Sequence, residues 1–285
     1  MMNILVFSKD RACQLEACLS SLKLNYKEYD SAKISVIYKA TTEKFQKAYD
    51  VLENMFFPEV SFTRELLFKQ QVLENLNSDF SQKSLFHMFL VDDDVFISAF
   101  SHNDKQFTLL KSSPNNIIAL SLRLYGNIDH CYCANYKQRI PHFIKECAWK
   151  WSTAELDWGY PMSLDGNVYN SNVIRLLCSN IHFSSPNTLE DSLLKVRPLP
   201  ETLLCYPDRS KLLNNPANIV QKSHKNRVEN TFSVEQLNDF FLSGKTIDIK
   251  QIQDVNNSTV HYPFQYVFYA NENVSKALKE TFKDG

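Results

Sequence analysis

Three aspartates in a row, Asp92, Asp93 and Asp94, follow the apolar run at 89–91. Like charges this close repel one another, so the triplet needs a partner or a use. Mg²⁺ and Mn²⁺ prefer oxygen ligands and often take one or two carboxylates together with substrate phosphates. In an extended chain Asp92 and Asp94 would point to one side and Asp93 to the other, leaving a carboxylate to accept hydrogen bonds from a ligand. We expect a divalent-cation site here, and the alternative is a solvated acidic loop tip.

Three further polar clusters carry residue types that suit the same chemistry. Ser8-Lys9-Asp10-Arg11 follows the first apolar run, Glu190-Asp191 stands in a short helical pattern, and a basic stretch covers 222–227. Lysine and arginine stabilise charge that develops on a departing phosphate. A carboxylate that accepts a hydroxyl proton is typically worth about 10²–10⁴-fold in rate.

The elements that must position these clusters alternate between strand and helix in the first half of the chain. Short apolar runs predict strands at 3–7, 33–38, 60–62 and 85–91, and helical spacing predicts helices at 12–24, 42–54 and 64–77. The rest is less regular, with a strand pattern at 116–124, short helices at 173–177 and 189–194, a helix at 234–242 and a strand-like aromatic run at 262–269.

This alternation predicts an α/β fold in which helices cover both faces of a mostly parallel central sheet. Ligands of such sheets lie beyond the carboxyl ends of the strands. Because Ser8 to Arg11 and Asp92 to Asp94 both follow strands, we expect the two clusters to meet in one crevice. We expect a single domain, with a small C-terminal extension at 231–285 packed on it.

Composition excludes several classes of protein. A net charge of −1 without a basic block argues against a protein held to nucleic acid by phosphate contacts. No apolar run approaches the roughly 20 residues of a membrane span, and the N-terminus lacks the layout of a signal peptide. We therefore expect a cytosolic protein with reduced thiols, and peripheral contact with a membrane stays open. The chain has no Gly-x-x-x-x-Gly-Lys loop and no Gly-x-Gly-x-x-Gly after its first strand, which argues against NTPases and dinucleotide oxidoreductases.

Four segments, in this order, resemble the nucleotide-sugar-dependent glycosyltransferases of the A-type fold, in particular the bacterial family 2-like enzymes. Asp92-Asp93-Asp94 matches their Asp-any-Asp metal motif. The segment "DWGYPMSLDGNVY" at 157–169 is similar to their acceptor-side segment, and "LEDSL" at 189–193 resembles their Glu-Asp motif. The segment "NIVQKSHKNRV" at 218–228 looks like the late loop that closes over the nucleotide. The Gln-x-x-Arg-Trp signature of processive synthases is missing, which argues against a processive, membrane-embedded synthase.

The resemblance implies a donor half at 1–115, with a uridine diphosphate sugar as the commonest donor of the group. The base and ribose of the nucleotide would lie beside Ser8, Lys9, Asp10 and Arg11. Asp92 would contact the ribose and Asp94 would bind Mn²⁺ or Mg²⁺, with Asp94 favoured over Asp93 as the metal ligand and Asp93 among the contacts of the nucleotide. Resemblance also implies His224 as a further metal ligand, and Lys222, Asn226 and Arg227 as contacts of the diphosphate.

It likewise implies an acceptor-binding and catalytic half at 116–230. Asp191 would be the catalytic base that takes the proton of an acceptor hydroxyl, on a glycan or glycolipid. Direct displacement with such a base inverts the anomeric centre, and a front-face retaining reaction uses the same fold. By analogy the activity would be hexosyl transfer in surface polysaccharide or glycolipid assembly. The expected acceptor contacts are Trp158, Tyr160, Asp165 and Glu190.

Other interpretations stay open at this point. A nucleotidyltransferase acting on a sugar phosphate shares the sheet and the metal aspartates, but those enzymes usually have a glycine-rich loop where this chain has "FSKDRACQ". A catalytically inactive nucleotide-sugar-binding module is the non-enzyme alternative. Glu190 and Asp191 could simply start a helix, and Trp158 could be a core residue.

Overall fold

The first part of the chain alternates strand and helix as its periodicity predicts. The computed structural model describes residues 1–145, 147–216 and 232–283. Its elements up to residue 112 are β1 (Met2–Lys9), α1 (Ala12–Asn25), β2 (Lys33–Lys39), α2 (Glu43–Phe56), β3 (Val60–Arg64), α3 (Phe68–Asn77), α4 (Asp79–Lys83), β4 (Phe86–Val91), β5 (Asp94–Phe96) and α5 (Lys105–Ser112). The predicted helix at 64–77 begins only at Phe68, because Arg64 still belongs to β3 and residues 65–67 form a loop.

The rest of the chain is built from shorter elements. These are β6 (Ile117–Ser121), β7 (His130–Cys131), β8 (Tyr136–Lys137), β9 (Ala148–Lys150), β10 (Asn167–Asn170), α6 (Ser171–Ser179), α7 (Pro186–Lys195), β11 (Thr202–Leu204), β12 (Leu212–Asn214), α8 (Val234–Leu242), β13 (Lys245–Ile247), β14 (Phe268–Ala270) and α9 (Glu272–Thr281). Short 3₁₀ helices cover Tyr29–Ser31, Trp151–Thr153, Leu156–Gly159 and Ile249–Ile252.

An eight-stranded sheet runs through the molecule in the order β3-β2-β1-β4-β10-β6-β11-β9. β10 is antiparallel to both of its neighbours and β9 is antiparallel to β11, whereas the other strands all run in one direction. The predicted α/β fold with a mostly parallel central sheet is confirmed. The order of the first strands reverses between β1 and β4, which is where ligands bind in open sheets of this kind.

Helices cover both faces of the sheet because the side chains of its strands alternate in direction. In β1, Ile4 and Val6 enter a core shared with α1, α2, α5, α8 and α9. Leu5 and Phe7 enter a second core shared with α3, α6 and α7. The carboxyl end of β1 is therefore fixed from two sides.

The C-terminal segment packs on the same face as the first two helices. α9 contacts α2, and α8 and β13 contact α1. The predicted strand at 262–269 is mostly wrong, since β14 pairs with β13 only through Phe268–Ala270. Within the described ranges, no helix is both long and apolar enough to cross a membrane.

Candidate active site

The loop after β1 meets the turn after β4 at the carboxyl edge of the sheet. The parallel register pairs Phe7 with Val91, which sets Ser8 beside Asp92. The Ser8 hydroxyl donates a hydrogen bond of 2.9 Å to Asp92 Oδ2, and the Lys9 N–H donates one of 3.0 Å to the same oxygen. The expectation that these two polar clusters share one crevice is confirmed.

Arg11 pairs with two of the three aspartates of the triplet. Its Nη1 lies 3.0 Å from Asp92 Oδ1 and 3.0 Å from Asp93 Oδ2. The Arg11 and Asp92 side chains are only 9% and 5% exposed, so this is a buried pair. Burial raises the pKa of Asp92 to about 6, and the Arg11 charge opposes that rise.

The side chain of Asn214 is a second partner of Asp93 and also contacts Asp94. The chain turns at residues 92–93 instead of continuing extended, so the alternation on which the expected directions of Asp92 and Asp94 rested is not present. Asp94 Oδ2 accepts from the Val91 N–H at 3.0 Å. The Asn214 amide, on β12 beside β5, donates to Asp93 Oδ1 at 2.8 Å and to Asp94 Oδ1 at 3.3 Å. Burial and the nearby Asp165 raise the pKa of Asp94 well above its usual range.

Asp10 shapes the loop that carries Arg11. Its φ of 57° lies in the left-handed region, which Asp tolerates better than most residues. Its carboxylate accepts from the Thr41 N–H at 2.7 Å and from the Thr41 hydroxyl at 2.8 Å. The Arg11 N–H donates to the Tyr49 hydroxyl at 3.2 Å. These contacts tie the β1–α1 loop to the β2–α2 loop and aim the Arg11 side chain at the aspartates.

A second ion pair lies further along the same edge. Arg123 follows the carboxyl end of β6 and bonds Asp165 Oδ2 through Nη1 at 3.0 Å and the Ser163 hydroxyl through Nη2 at 2.6 Å. Burial alone would lower the pKa of Arg123, but Asp165, Asp94, Asp157 and Glu190 raise it. The same guanidinium thus lies within electrostatic range of Asp94 and of α7.

Helix α7 presents Glu190 to this ion pair. The helix begins at Pro186 with a capping box in which the Ser185 hydroxyl accepts from the N–H of Thr188. Glu190 and Asp191 therefore stand in the second turn, and the interpretation that they merely start a helix is wrong. Glu190 Oε1 accepts from the Leu164 N–H at 3.0 Å. Burial and Asp165 raise the pKa of Glu190 to about 7.

Comparisons with protein-family models and with curated proteins find no match. Among solved structures, the chain is similar to S. aureus TarS, with 11% identity and a TM-score of 0.45 over 74% of this chain and 36% of that one. It is also similar to TarS 1-349, with 12% identity and a TM-score of 0.46 over 74% and 59% of the two chains. A complex of TarS 1-349 with UDP-GlcNAc matches at 11% identity and a TM-score of 0.45 over 98% and 71%.

The match covers little more than a third of the first TarS chain and 59% of the second. A likeness at this level concerns the course of the backbone alone. What the chain does is therefore argued from its own residues.

The donor set at the triplet fits a divalent cation that shares its ligands with a substrate. Asp93 and Asp94 place two carboxylates side by side, and Mg²⁺ usually takes one or two together with phosphate oxygens. Within the described ranges no three His, Cys, Asp or Glu side chains form a complete metal site. The remaining ligands would have to come from the substrate or from residues beyond these ranges. Four residues predicted for this role or for the diphosphate lie outside the described residues: Lys222, His224, Asn226 and Arg227.

The acceptor residues predicted from the sequence divide into two groups. Tyr160, Asp165 and Glu190 lie together. Burial is the largest cause of the raised pKa of Tyr160, and the nearby negative charges of Glu190 and Asp165 raise it further. Asp191 is half-buried on the same turn of α7 and adds to that rise. Trp158 is wholly enclosed and donates its indole N–H to the Ile128 carbonyl at 2.8 Å. Its placement in the core offers no face for an acceptor sugar.

Sequence reasoning missed Arg123, Asn214 and His261. Arg123 had a usable signal, because it follows a predicted strand just as the aspartates do. Asn214 and His261 had none, since they come together through a bridge between segments far apart in the chain. His261 Nδ1 lies 3.6 Å from Cys133 Sγ. Burial and Arg123 lower the pKa of His261.

Proposed function

We propose that this chain is a metal-dependent glycosyltransferase that moves a sugar from a nucleoside diphosphate, with uridine as the base, to a hydroxyl of a glycan or glycolipid. One observation carries the proposal. The aspartate triplet stands at the switch point of the sheet, and the Arg123–Asp165 pair links it electrostatically to the carboxylates of α7. Groups proposed for the donor and groups proposed for the acceptor thus lie within electrostatic range of one guanidinium.

On the donor side, the nucleoside would lie against the β1–α1 loop, beside Ser8, Lys9 and Arg11, with its ribose near Asp92. Asp94 would hold Mn²⁺ or Mg²⁺, with His224 as a further ligand. When bound, such an ion neutralises charge on the departing diphosphate. Arg11 and Asn214 already hold the carboxylates in place, so binding requires little reordering of the triplet. The proposed contacts of the diphosphate are Lys222, Asn226 and Arg227.

On the acceptor side, Asp191 is the proposed base. The acceptor oxygen attacks the anomeric carbon, its proton passes to the Asp191 carboxylate, and the bond from that carbon to the diphosphate breaks with inversion. Glu190 bonds the Leu164 N–H and thereby fixes α7 against the segment that carries Asp165. Tyr160 would complete the acceptor contacts. Replacing Asp191 by Asn removes proton acceptance, and we expect a loss of about 10²–10⁴-fold in kcat with KM for the donor little changed.

The first test is thermal unfolding with uridine, guanosine, adenosine and cytidine diphosphates, each with and without Mn²⁺. A ligand present at 100 times its Kd stabilises the native state by about 2.7 kcal/mol, which raises Tm by roughly 5 °C in a chain of this size. We expect uridine diphosphate to give this rise with Mn²⁺, and Asp94→Asn to abolish it. Asp30→Asn, at an exposed position far along the chain from the triplet, is the matched control.

The absence of a shift with any of these nucleotides at millimolar concentration would refute the proposal. Release of pyrophosphate from a nucleoside triphosphate and a sugar phosphate would instead identify a nucleotidyltransferase. A metal-dependent shift without transfer or hydrolysis of any donor sugar would identify a binding module.

A further inference from the structure

One edge of the eight-stranded sheet is open among the described residues. β3 pairs with β2 on one side, and no described strand lies on its other side. Natural proteins usually protect such an edge with a lysine, a proline or a bulge, because open edges recruit other strands. The β3 sequence "VSFTR" has neither lysine nor proline, and its register with β2 has no shift. The edge is therefore suited to pairing with a further strand.

The backbone groups that point away from β2 can be identified from one hydrogen bond. The Glu65 N–H donates to the carbonyl of Tyr38 on β2. Successive residues of a strand direct their N–H and C=O groups to opposite sides, so those of Phe62 and Arg64 point to the open side. In agreement, the Arg64 carbonyl accepts from the Gln71 side chain at 2.8 Å. Alternate residues of β3 thus offer backbone groups to a partner strand.

Large apolar side chains are exposed at both ends of β3. Phe57 comes shortly before the strand and is 75% exposed. Leu66 and Leu67 come shortly after it and are 81% and 62% exposed. The two leucines also line a groove of about 750 Å³ together with Phe68 and Phe183. Exposed apolar side chains grouped in this way mark interaction surfaces.

The two ends of β3 carry opposite charges on the same side of the sheet. Val60 and Phe62 contact the core shared with α1, and the alternation of side chains places Arg64 on that side as well. The Glu59 carboxylate is also on that side, since it lies 2.6 Å from the ammonium of Lys23 on α1. One end of the strand therefore presents a carboxylate and the other a guanidinium.

We propose that β3 pairs in antiparallel fashion with β3 of a second copy of this chain, across a two-fold axis at Phe62. A two-fold axis reverses the strand, so each end of one copy meets the unlike end of the other. With Phe62 opposite itself, Phe57 lies opposite Leu67 of the other copy and Arg64 comes beside Glu59 of the other copy. The outward backbone groups of the two strands then bond each other, and the exposed apolar ends are covered. The inference does not depend on the proposed function.

The first test measures the mass of the full chain by sedimentation equilibrium at about 1–100 µM, since even the weaker interfaces of ordinary size have Kd values in the micromolar range. We expect twice the mass of one chain at the upper end of this range. Hydrogen exchange followed over the same concentrations should slow at the amide of Phe62, because that N–H becomes bonded in the dimer.

Substitutions at exposed positions locate the contact. Phe57→Asp and Leu67→Asp each place a charge where apolar side chains meet, and each should raise the Kd of the dimer about 30-fold or more. Leu176→Asp is the matched control, at a position on α6 that is 65% exposed. Arg64→Glu should also weaken the dimer because it opposes Glu59 of the other copy, and adding Glu59→Arg should restore it by reversing both charges.

A single-chain mass at about 100 µM overturns the inference. A dimer that Phe57→Asp and Leu67→Asp weaken no more than Leu176→Asp does overturns it as well, since the contact would then lie elsewhere on the molecule. An amide of Phe62 that exchanges at one rate at all concentrations has the same meaning, and that measurement requires no variant to fold.

Discussion

Removing Arg11 should destabilise the fold, because the buried aspartates would lose the positive charge that compensates them. Arg11 makes two contacts of 3.0 Å with side chains that are 5% and 13% exposed. Breaking a buried ion pair by deleting one partner costs about 3–5 kcal/mol, because the other charge stays buried without compensation. We therefore expect Arg11→Met to lower the free energy of unfolding by about that amount at pH 8, measured by urea denaturation followed by circular dichroism.

The loss should depend on pH in a defined direction. The pKa of Asp92 is raised to about 6 even with Arg11 present, and without Arg11 it should rise further. Protonation then removes the buried charge, so the loss should be smaller at pH 5 than at pH 8. The double variant Arg11→Met/Asp92→Asn should recover much of it, whereas Lys23→Met, which breaks an ion pair 49% and 42% exposed, should cost less than about 1 kcal/mol. A loss below about 1 kcal/mol that is the same at both pH values would refute this reasoning.

Three further predictions concern stability. Burial raises the pKa of Glu16 to about 7, so its stabilising contribution is complete below pH 4.5 and is lost as pH rises through 7. Glu16→Gln should remove this pH dependence. In thermal scans at pH 8 the variant should gain up to roughly 3 kcal/mol in free energy of unfolding. Ser185→Ala should cost about 1 kcal/mol in urea denaturation because it removes the cap of α7, with Ser152→Ala at an exposed position as the control. Trp158→Phe should cost about 1–3 kcal/mol, as for a core residue that loses volume and a hydrogen bond; a change within 0.5 kcal/mol would support the acceptor-platform interpretation.

The donor side of the site could be predicted because it follows from a regular pattern of elements in the sequence. Strand, polar loop and helix repeat along the first half of the chain, and the carboxyl ends of parallel strands meet at one edge. The sequence alone therefore places Ser8 and Asp92 together. The direction of each carboxylate was not predictable, since the turn at 92–93 is set by the pairing of β5 with the distant β12.

The acceptor side of the site was harder to predict, because it too depends on pairing between strands that are far apart in the chain. β10 begins within the segment that resembled an acceptor region and ends one residue beyond it, and its four residues give no period long enough to recognise. Arg123 and Asp165 stand far apart in the chain and meet only because β10 pairs with β6. Trp158 shows the limit of residue type alone, because tryptophan is common both in cores and in sugar sites.

The insertion of β10 between β4 and β6 also has a consequence for synthesis of the chain. Met88 finds its partner Val168 only after the ribosome has added the whole intervening segment. Until then β4, whose residues are nearly all buried in the finished molecule, leaves one apolar edge open beside a sheet that can already form from β1, β2 and β3. Open apolar edges recruit other strands. Nascent chains halted between β4 and β10 should therefore bind chaperones or aggregate, whereas chains that extend past α6 should not.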